Sequence, residues 1–452
     1  MNTVTVQAPS SKSVSHRMLI GAALAAGTSE VSNLLESRDL ERTADILRSC
    51  GADIVRKAPG QFTVRGVAGS PAGGGTEPVS CDVHESGTTC RLLTAVLAGG
   101  LGKFRIHGAP RMHERPIGEL TDVLQALGTV ISFEGREGYP PFVMDAARLK
   151  GGDVTIGLDE SSQYLSGLLL VAPLTTGLTV TVGGSKVVSW PYVGLTLQAL
   201  ADFGLRFTVQ TRETEQAPWI DADWKTLTAA LPGKLRIHVS PGMYRAGAYR
   251  GEGDWSGASY LLAAGAIGPR PVRVTGLRPD SLQGDRAMLD ILARMGAGVD
   301  VTDAGITITP APLKGIEVDM GACPDLVPTV AAVAAFATGR TVVRNVAHLR
   351  IKESDRIAAP AMELRKAGIM VEEHADGLTV TGGKPAAPAE TVFSAHGDHR
   401  IAMSAALLAF AGVNVQLDDT ACVGKSFPDF WERFAALTEG LPGVGKAGPG
   451  AA

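Results

Sequence analysis

The segment KSVSHRMLIGAALAAGTSEV, residues 12–31, sets the pattern for the whole chain. Small hydroxyl and basic residues lead into an apolar run of helical length, a glycine stops it, and a short alternating strand follows. The phrase recurs as SGTTCRLLTAVLAGGLGKFRI (86–106), SSQYLSGLLLVAPLTTGLTVTV (161–182), SGASYLLAAGAIGPRPVRV (256–274), DLVPTVAAVAAFATGRTVV (325–343) and DHRIAMSAALLAFAGVNVQL (398–417). Apolar residues lie on nearly every side of these runs, which predicts helices buried all round. A second phrase alternates with the first, as in LERTADILRSCGADIV (40–55) and RIAAPAMELRKAGIMV (356–371). It is a helix with charge on one face, expected on the outside, ended by Gly51, Gly128, Gly204, Gly296 or Gly368.

Those glycines lie 77, 76, 92 and 72 residues apart, so one unit is repeated, with an insertion between the third and fourth copies. Each unit reads strand, helix, strand, helix, strand, strand, and six units divide as three plus three. The fold class is therefore α/β, in two domains, each a helix core wrapped by sheets and outer helices. The insertion QTRETEQAPWIDADWKTLTAALPGKLRI (210–237) marks the boundary and predicts a hinge near 230–245.

At 452 residues the chain exceeds one ordinary core, which agrees with two domains. Its net charge is only −4, with lysines and arginines scattered, so no nucleic-acid partner is expected. Five cysteines, at 50, 81, 90, 323 and 422, form no CxxC pair, which argues against a disulfide framework or structural zinc and for a reducing cytosol. The N-terminus enters the strand pattern TVTVQAP with no signal-peptide character. The apolar runs break well short of the roughly 20 residues of a membrane span. A cytoplasmic protein without a membrane partner is expected, with a disordered Gly- and Pro-rich tail at 439–452.

Chemistry is expected where the buried helices begin, because helix N-termini offer backbone N–H groups and positive dipole ends. Ser11, Lys12, Ser13, Ser15, His16 and Arg17 crowd the first start. Gly87, Thr88, Thr89 and Arg91 follow at the second, Ser161, Ser162 and Gln163 at the third, Asp325 at the fifth, and Asp398, His399 and Arg400 at the sixth. Ser, Thr and Asp are ordinary caps. Lys12, Arg17 and Arg400 oppose the dipole, so their recurrence points to an anionic ligand. Arg115 in MHERPIG and Lys425 in VGKSFPDF extend the set. The densest charge lies in RIKESDR (350–356), between the strand pattern TVVRNVAHL and a helix expected to hold Arg356 near its first turn. Arg350, Lys352 and Arg356 there predict an anion site with carboxylates built in; taken alone, a solvated loop of compensating charges is the other reading. His16 and Cys90 are read as core residues.

Ten motifs in order, SKSVSHR, SGTTCRLL, RMHERPIG, SSQYLSGLLL, SPGMY, DWSGASYLLAA, SLQGD, RIKESDR, GDHRIAM and KSFPDF, resemble the 5-enolpyruvylshikimate-3-phosphate (EPSP) synthases over essentially the whole chain. The resemblance implies two inside-out α/β domains, each of three βαβαββ repeats, the enolpyruvyl transferase fold. It places the extreme N-terminus with the C-terminal domain, giving 12–238 as one domain and 1–11 with 239–438 as the other. It implies a monomer that transfers the enolpyruvyl group of phosphoenolpyruvate to the 5-hydroxyl of shikimate 3-phosphate, in the shikimate pathway to chorismate and aromatic amino acids, with no cofactor and no metal. Shikimate 3-phosphate would be held by Lys12, Ser13, Arg17, Ser161, Ser162, Gln163, Ser189, Asp325, His348 and Lys352. Phosphoenolpyruvate would meet Lys12, Gly87, Arg115, Gln163, Arg356, Arg400 and Lys425. Asp325, Glu353 and Lys12 are the implied proton-moving residues. Glu85, Trp190 and His348 depart from the residues frequent in the family, and a Glu85 charge beside an anion site would weaken phosphoenolpyruvate binding. The alternatives are an enolpyruvyl transferase acting on another acceptor, such as UDP-N-acetylglucosamine, and a non-catalytic binding relative.

Overall fold

The computed structural model describes residues 2–439, so the expected tail, Glu439 aside, lies outside the described residues. The chain forms two compact units, Ser11–Gly251 and a discontinuous one in which the residues up to Ser10 join those from Glu252 onward. The first unit contains α1 (Lys12–Leu24), α2 (Arg38–Ser49), α3 (Gly87–Ala98), α4 (Gly118–Ala126), α5 (Gln163–Val171) and α6 (Pro191–Asp202). The second contains α7 (Trp255–Ile267), α8 (Met288–Met295), α9 (Val327–Ala334), α10 (Ala358–Lys366), α11 (His399–Ala406) and α12 (Phe430–Thr438).

One sheet of the first unit shows the repeat in its simplest form. Val79–Asp82 runs parallel to Leu101–His107, which pairs antiparallel with Phe142–Ala147, and that strand with Val130–Phe133. The same order recurs in Glu317–Asp319, Arg340–Arg344, Gly377–Thr381 and Met370–His374 of the second unit. Two repeats take their first strand from the far end of a unit. Ala248–Arg250 pairs parallel with Thr28–Ser32, while Val4–Gln7 pairs parallel with Val272–Thr275.

The insertion is a working part of a sheet. Leu235–Val239 pairs antiparallel with both Leu178–Val187 and Phe207–Thr211, and Ile220–Asp221 adds an edge strand. The units divide at 251/252 and not at the expected 238/239, because residues through Arg250 still pair with strands of the first unit.

Burial separates inner from outer helices. Every residue from Val14 to Leu24 of α1 is buried, as is every residue from Trp255 to Ala266 of α7. In α2 only Asp39, Leu40, Thr43, Ala44, Ile46 and Leu47 are, so one face of that helix remains outside. Each fully buried Leu or Ile contributes about 1.5–3 kcal/mol, so the inner helices hold the units together. Packing around them is close. A Cβ on Gly21 of α1 would lie 2.3 Å from the Phe203 ring, so alanine there would force the ring or the helix to move. The five glycines that mark the repeat all have left-handed φ, between 72° and 113°, as a helix stop requires.

Candidate functional site

In the first unit, the start of α1 supplies two cations in different settings. Ser11 caps the helix by accepting from the Val14 amide. Lys12 Nζ lies 2.7 Å from Asp39 Oδ2, with about a quarter of the lysine side chain, 23%, still open to solvent. Arg17 is buried. Its Nε donates to Thr196 Oγ1 (2.8 Å), and its terminal nitrogens donate to Ser13 O (2.8 Å), Tyr192 O (2.9 Å) and Ser166 Oγ (3.3 Å). Every one of those oxygens is neutral. Burial accordingly pulls the guanidinium down to about 10.

The starts of α3 and α5 meet through side chains. Ser86 caps α3, and the Arg115 guanidinium lies so close to Gly87 that a Cβ there would sit 2.9 Å from it. A larger residue at 87 would push the tip of that side chain aside. Gln163 Nε2 donates to Thr88 Oγ1 (3.0 Å), Gln163 Oε1 accepts from Arg91 (3.0 Å), and the Gln163 amide donates to Ser161 Oγ (3.2 Å). Ser162 is buried beside them, and Ser189 stands at φ 55° just ahead of α6. Behind these starts, His16 Nδ1 bonds Thr43 Oγ1 (2.9 Å), which meets Thr89 Oγ1 (2.9 Å). Burial, with Lys12 nearby, lowers His16 to about 3, so its ring is neutral at ordinary pH.

The second unit gathers its charges more tightly. Arg356 Nε donates to Asp398 Oδ2 (2.7 Å), and its terminal nitrogens reach Asp398 Oδ1 (3.2 Å), Asp325 Oδ1 (3.0 Å) and Glu353 Oε2 (3.0 Å). Arg400 meets the other oxygen of Asp325 at 2.7 Å, and Lys425 lies 3.8 Å from Glu353. Burial would lower Arg356, but the Glu353 and Asp398 charges outweigh it and raise the guanidinium above its usual value. Burial likewise opposes ionisation of Asp398, and the charge and hydrogen bonds of Arg356 overcome it, leaving that carboxyl below its usual range. Side-chain exposure sorts the three acids. Asp398 is at 0%, Asp325 at 17% and Glu353 at 26%, so only the last two can reach a ligand.

RIKESDR differs from expectation in its local geometry. The strand ends at Arg344, a 3-10 turn spans Ala347–Ile351 and carries His348, and α10 begins only at Ala358, beyond Arg356. The amides expected to be open at that helix start are taken, since Asp355 Oδ1 accepts from Ile357 N and Ala358 N at 3.0 Å each. Arg350 is also spent on the scaffold, paired with Asp355 (2.9 Å) and donating to His374 O (2.7 Å). Lys352 follows directly on the turn. Trp190 is buried and donates to Leu227 O (3.0 Å), whereas Glu85 is exposed. Burial pushes the Cys90 thiol up to about 11, which suits a core residue and not a nucleophile. Sequence reasoning missed Asp39 as the partner of Lys12, because an acid in the first turn of an outer helix is an ordinary helix feature.

Two inside-out units of βαβαββ repeats, with cations at the starts of buried helices and two reachable carboxylates among the cations of the second unit, define an enolpyruvyl transferase fold. Comparison with known proteins narrows the class. The family model described as EPSP synthase (3-phosphoshikimate 1-carboxyvinyltransferase) matches residues 3–219 and 226–434, and the chain belongs to that family. It is 41% identical over 438 residues to a 3-phosphoshikimate 1-carboxyvinyltransferase of Nitrosomonas europaea and 39% identical over 437 to one of Shewanella halifaxensis, covering 96% of both chains in each pair. An EPSP synthase structure from Acinetobacter baumannii aligns with a TM-score of 0.75 at 26% identity, over 96% of this chain and 95% of that one.

Proposed function

We propose that the chain transfers the enolpyruvyl group of phosphoenolpyruvate to the 5-hydroxyl of shikimate 3-phosphate, releasing phosphate, a reading that its membership of the EPSP synthase family supports. The observation that carries this reading is the pair of reachable carboxylates, Asp325 and Glu353, held among Arg356, Arg400 and Lys425. A module that only bound anions would need the cations and have little use for the acids.

The reaction is addition followed by elimination. The 5-hydroxyl oxygen bonds to C2 of phosphoenolpyruvate while C3 gains a proton, giving a tetrahedral ketal. A proton then leaves C3, the double bond returns, and the C2–O bond to phosphate breaks. Asp325 is assigned to take the hydroxyl proton, and Glu353 and Lys12 to exchange the proton at C3. Arg17, Lys12 and Ser13, with Ser161, Ser162, Gln163, Ser189, His348 and Lys352, are assigned to shikimate 3-phosphate. Lys12, Gly87, Arg115, Gln163, Arg356, Arg400 and Lys425 are assigned to phosphoenolpyruvate. Each charge-assisted hydrogen bond to these anions is worth about 1.5–3 kcal/mol, which accounts for the number of cations. Arg356 fits the scheme mainly as the group that fixes Asp325, since a guanidinium has five N–H donors and four contacts are already made to carboxylates. A cytoplasmic monomer is part of the same proposal, checked by sedimentation of the purified protein.

The test is phosphate release. It is expected with shikimate 3-phosphate and phosphoenolpyruvate together, and not with either alone or with UDP-N-acetylglucosamine as acceptor. Loss of release in Lys12→Ala and Glu353→Ala would support the assigned roles. Binding of both ligands without release would sink the catalytic reading.

A further inference from the structure

The second unit contains a buried carboxylate that the reaction does not use. Glu363 lies on α10, seven residues beyond Arg356, and its side chain is only 4% exposed. It receives three donors. Ser394 N and Lys366 Nζ each lie 2.8 Å from Oε2, and His396 Nε2 lies 2.8 Å from Oε1. Because a carboxylate only accepts, that histidine nitrogen must carry a proton.

Two of the three donors belong to one turn, 394–398, which leads into α11. The turn is conformationally demanding, with His396 at φ 51° and Gly397 at φ 64°, successive left-handed residues of which only the second is glycine. A non-glycine residue stays in that region only when its surroundings hold it there. Glu363 holds one side. Asp418 holds the other, accepting from Ser394 Oγ (2.6 Å) and Ala395 N (2.7 Å). The turn closes with Asp398 N donating to Ala395 O (2.8 Å), and Arg400 follows in the first turn of α11.

The segment 356–363 therefore grips 394–398 at two points. Arg356 bonds the Asp398 side chain, and Glu363 bonds the turn before it. Arg356 thus fixes the residue that caps α11, and Glu363 fixes the turn that leads into it. We propose that Glu363 is a positioning residue for Arg400, acting through Ser394 and His396 to fix where the Arg400 guanidinium stands. The proposal rests on the reading of Arg400 as a phosphoenolpyruvate ligand.

The experiment compares Glu363→Ala, Glu363→Gln, His396→Ala and Arg400→Ala in the full chain, by steady-state kinetics in each substrate and by crystal structures of the variants that fold. Glu363→Ala is expected to raise KM for phosphoenolpyruvate about tenfold, with KM for shikimate 3-phosphate within about twofold and with 394–400 displaced in the crystal. Glu363→Gln, whose single carbonyl keeps one of the two turn contacts, should fall between. His396→Ala should shift KM in the same direction by about threefold, and it carries the test if Glu363→Ala does not fold. An unmoved turn, or a fall in melting temperature with both KM values unchanged or raised equally, overturns the proposal. An unchanged KM for phosphoenolpyruvate in Arg400→Ala would instead remove the ligand reading, and the position of Arg400 in the variant crystals would then decide the positioning role by itself.

Discussion

Arg17 and Arg356 are equally buried, at 2% exposure, and each guanidinium makes four polar contacts, yet they are held in opposite ways. Arg17 of the first unit faces hydroxyls and carbonyls, and its pKa is lowered; Arg356 of the second faces carboxylates, and its pKa is raised. A buried cation without a counter-charge is costly in the free protein and gains most when an anion arrives. A cation already matched by carboxylates gains little from a further anion. What it does is hold acids in place. Arg17 is thus set to receive an anion, and Arg356 to hold the carboxylates around it.

The largest expected effect breaks the matched side. Arg356→Met leaves Asp398 buried at 0% exposure without its charge partner, and should destabilise the second unit by about 3–5 kcal/mol in urea unfolding. Arg17→Met strands no carboxylate, so its cost to folding should be smaller, about 1–3 kcal/mol for unpaired oxygens. Its affinity for shikimate 3-phosphate, by calorimetric titration, should fall about tenfold to a hundredfold. Equal folding losses in the two variants would erase the contrast.

A third prediction concerns what the units share. Each has a neutral buried histidine next to its charges, His16 and His399, and burial is the main reason both lie near about 3 instead of 6.5. The folded pKa is depressed, so stability from these rings is complete above about pH 6.5 and is lost as pH falls toward 3, because the unfolded chain takes up protons the native one refuses. The slope should be about 1.4 kcal/mol per pH unit for each histidine. Chemical unfolding across that range, with His16→Phe and His399→Phe as controls, checks it; a slope unchanged in either variant would show that ring to be protonated in the native state. The smallest effect belongs to Glu85→Asn. Glu85 is exposed, so removing its charge should lower KM for phosphoenolpyruvate by about twofold at most, and no change would mean that the carboxylate faces away from the ligand.

The repeat was legible because it is written in period and punctuation. Apolar runs and their glycine stops are local signals, and a strand-helix unit needs little else. The cations at helix starts were legible for the same reason. What surrounds them was not. Asp39 finds Lys12 from 27 residues away, and Asp325 finds Arg356 from 31, through tertiary packing that no spacing rule encodes. Asp355 capping α10 was readable in principle, as an acid two or three residues ahead of a helix, but the density of charge in RIKESDR hid it. The insertion was misjudged because its irregular composition resembles a linker, while Leu235–Val239 carries the alternation of a strand with both neighbours paired.

Val4–Gln7 pairs with Val272–Thr275, and the whole first unit is spelled out between them. During synthesis at about 5–20 residues per second, that first strand would wait roughly 13 to 54 seconds for its partner to be made. Ser11–Gly251 would meanwhile be made in full while Val4–Gln7 still lacks that partner. The order of the chain thus lets one unit be made in full before the other can close, because the two strands of this pair flank it.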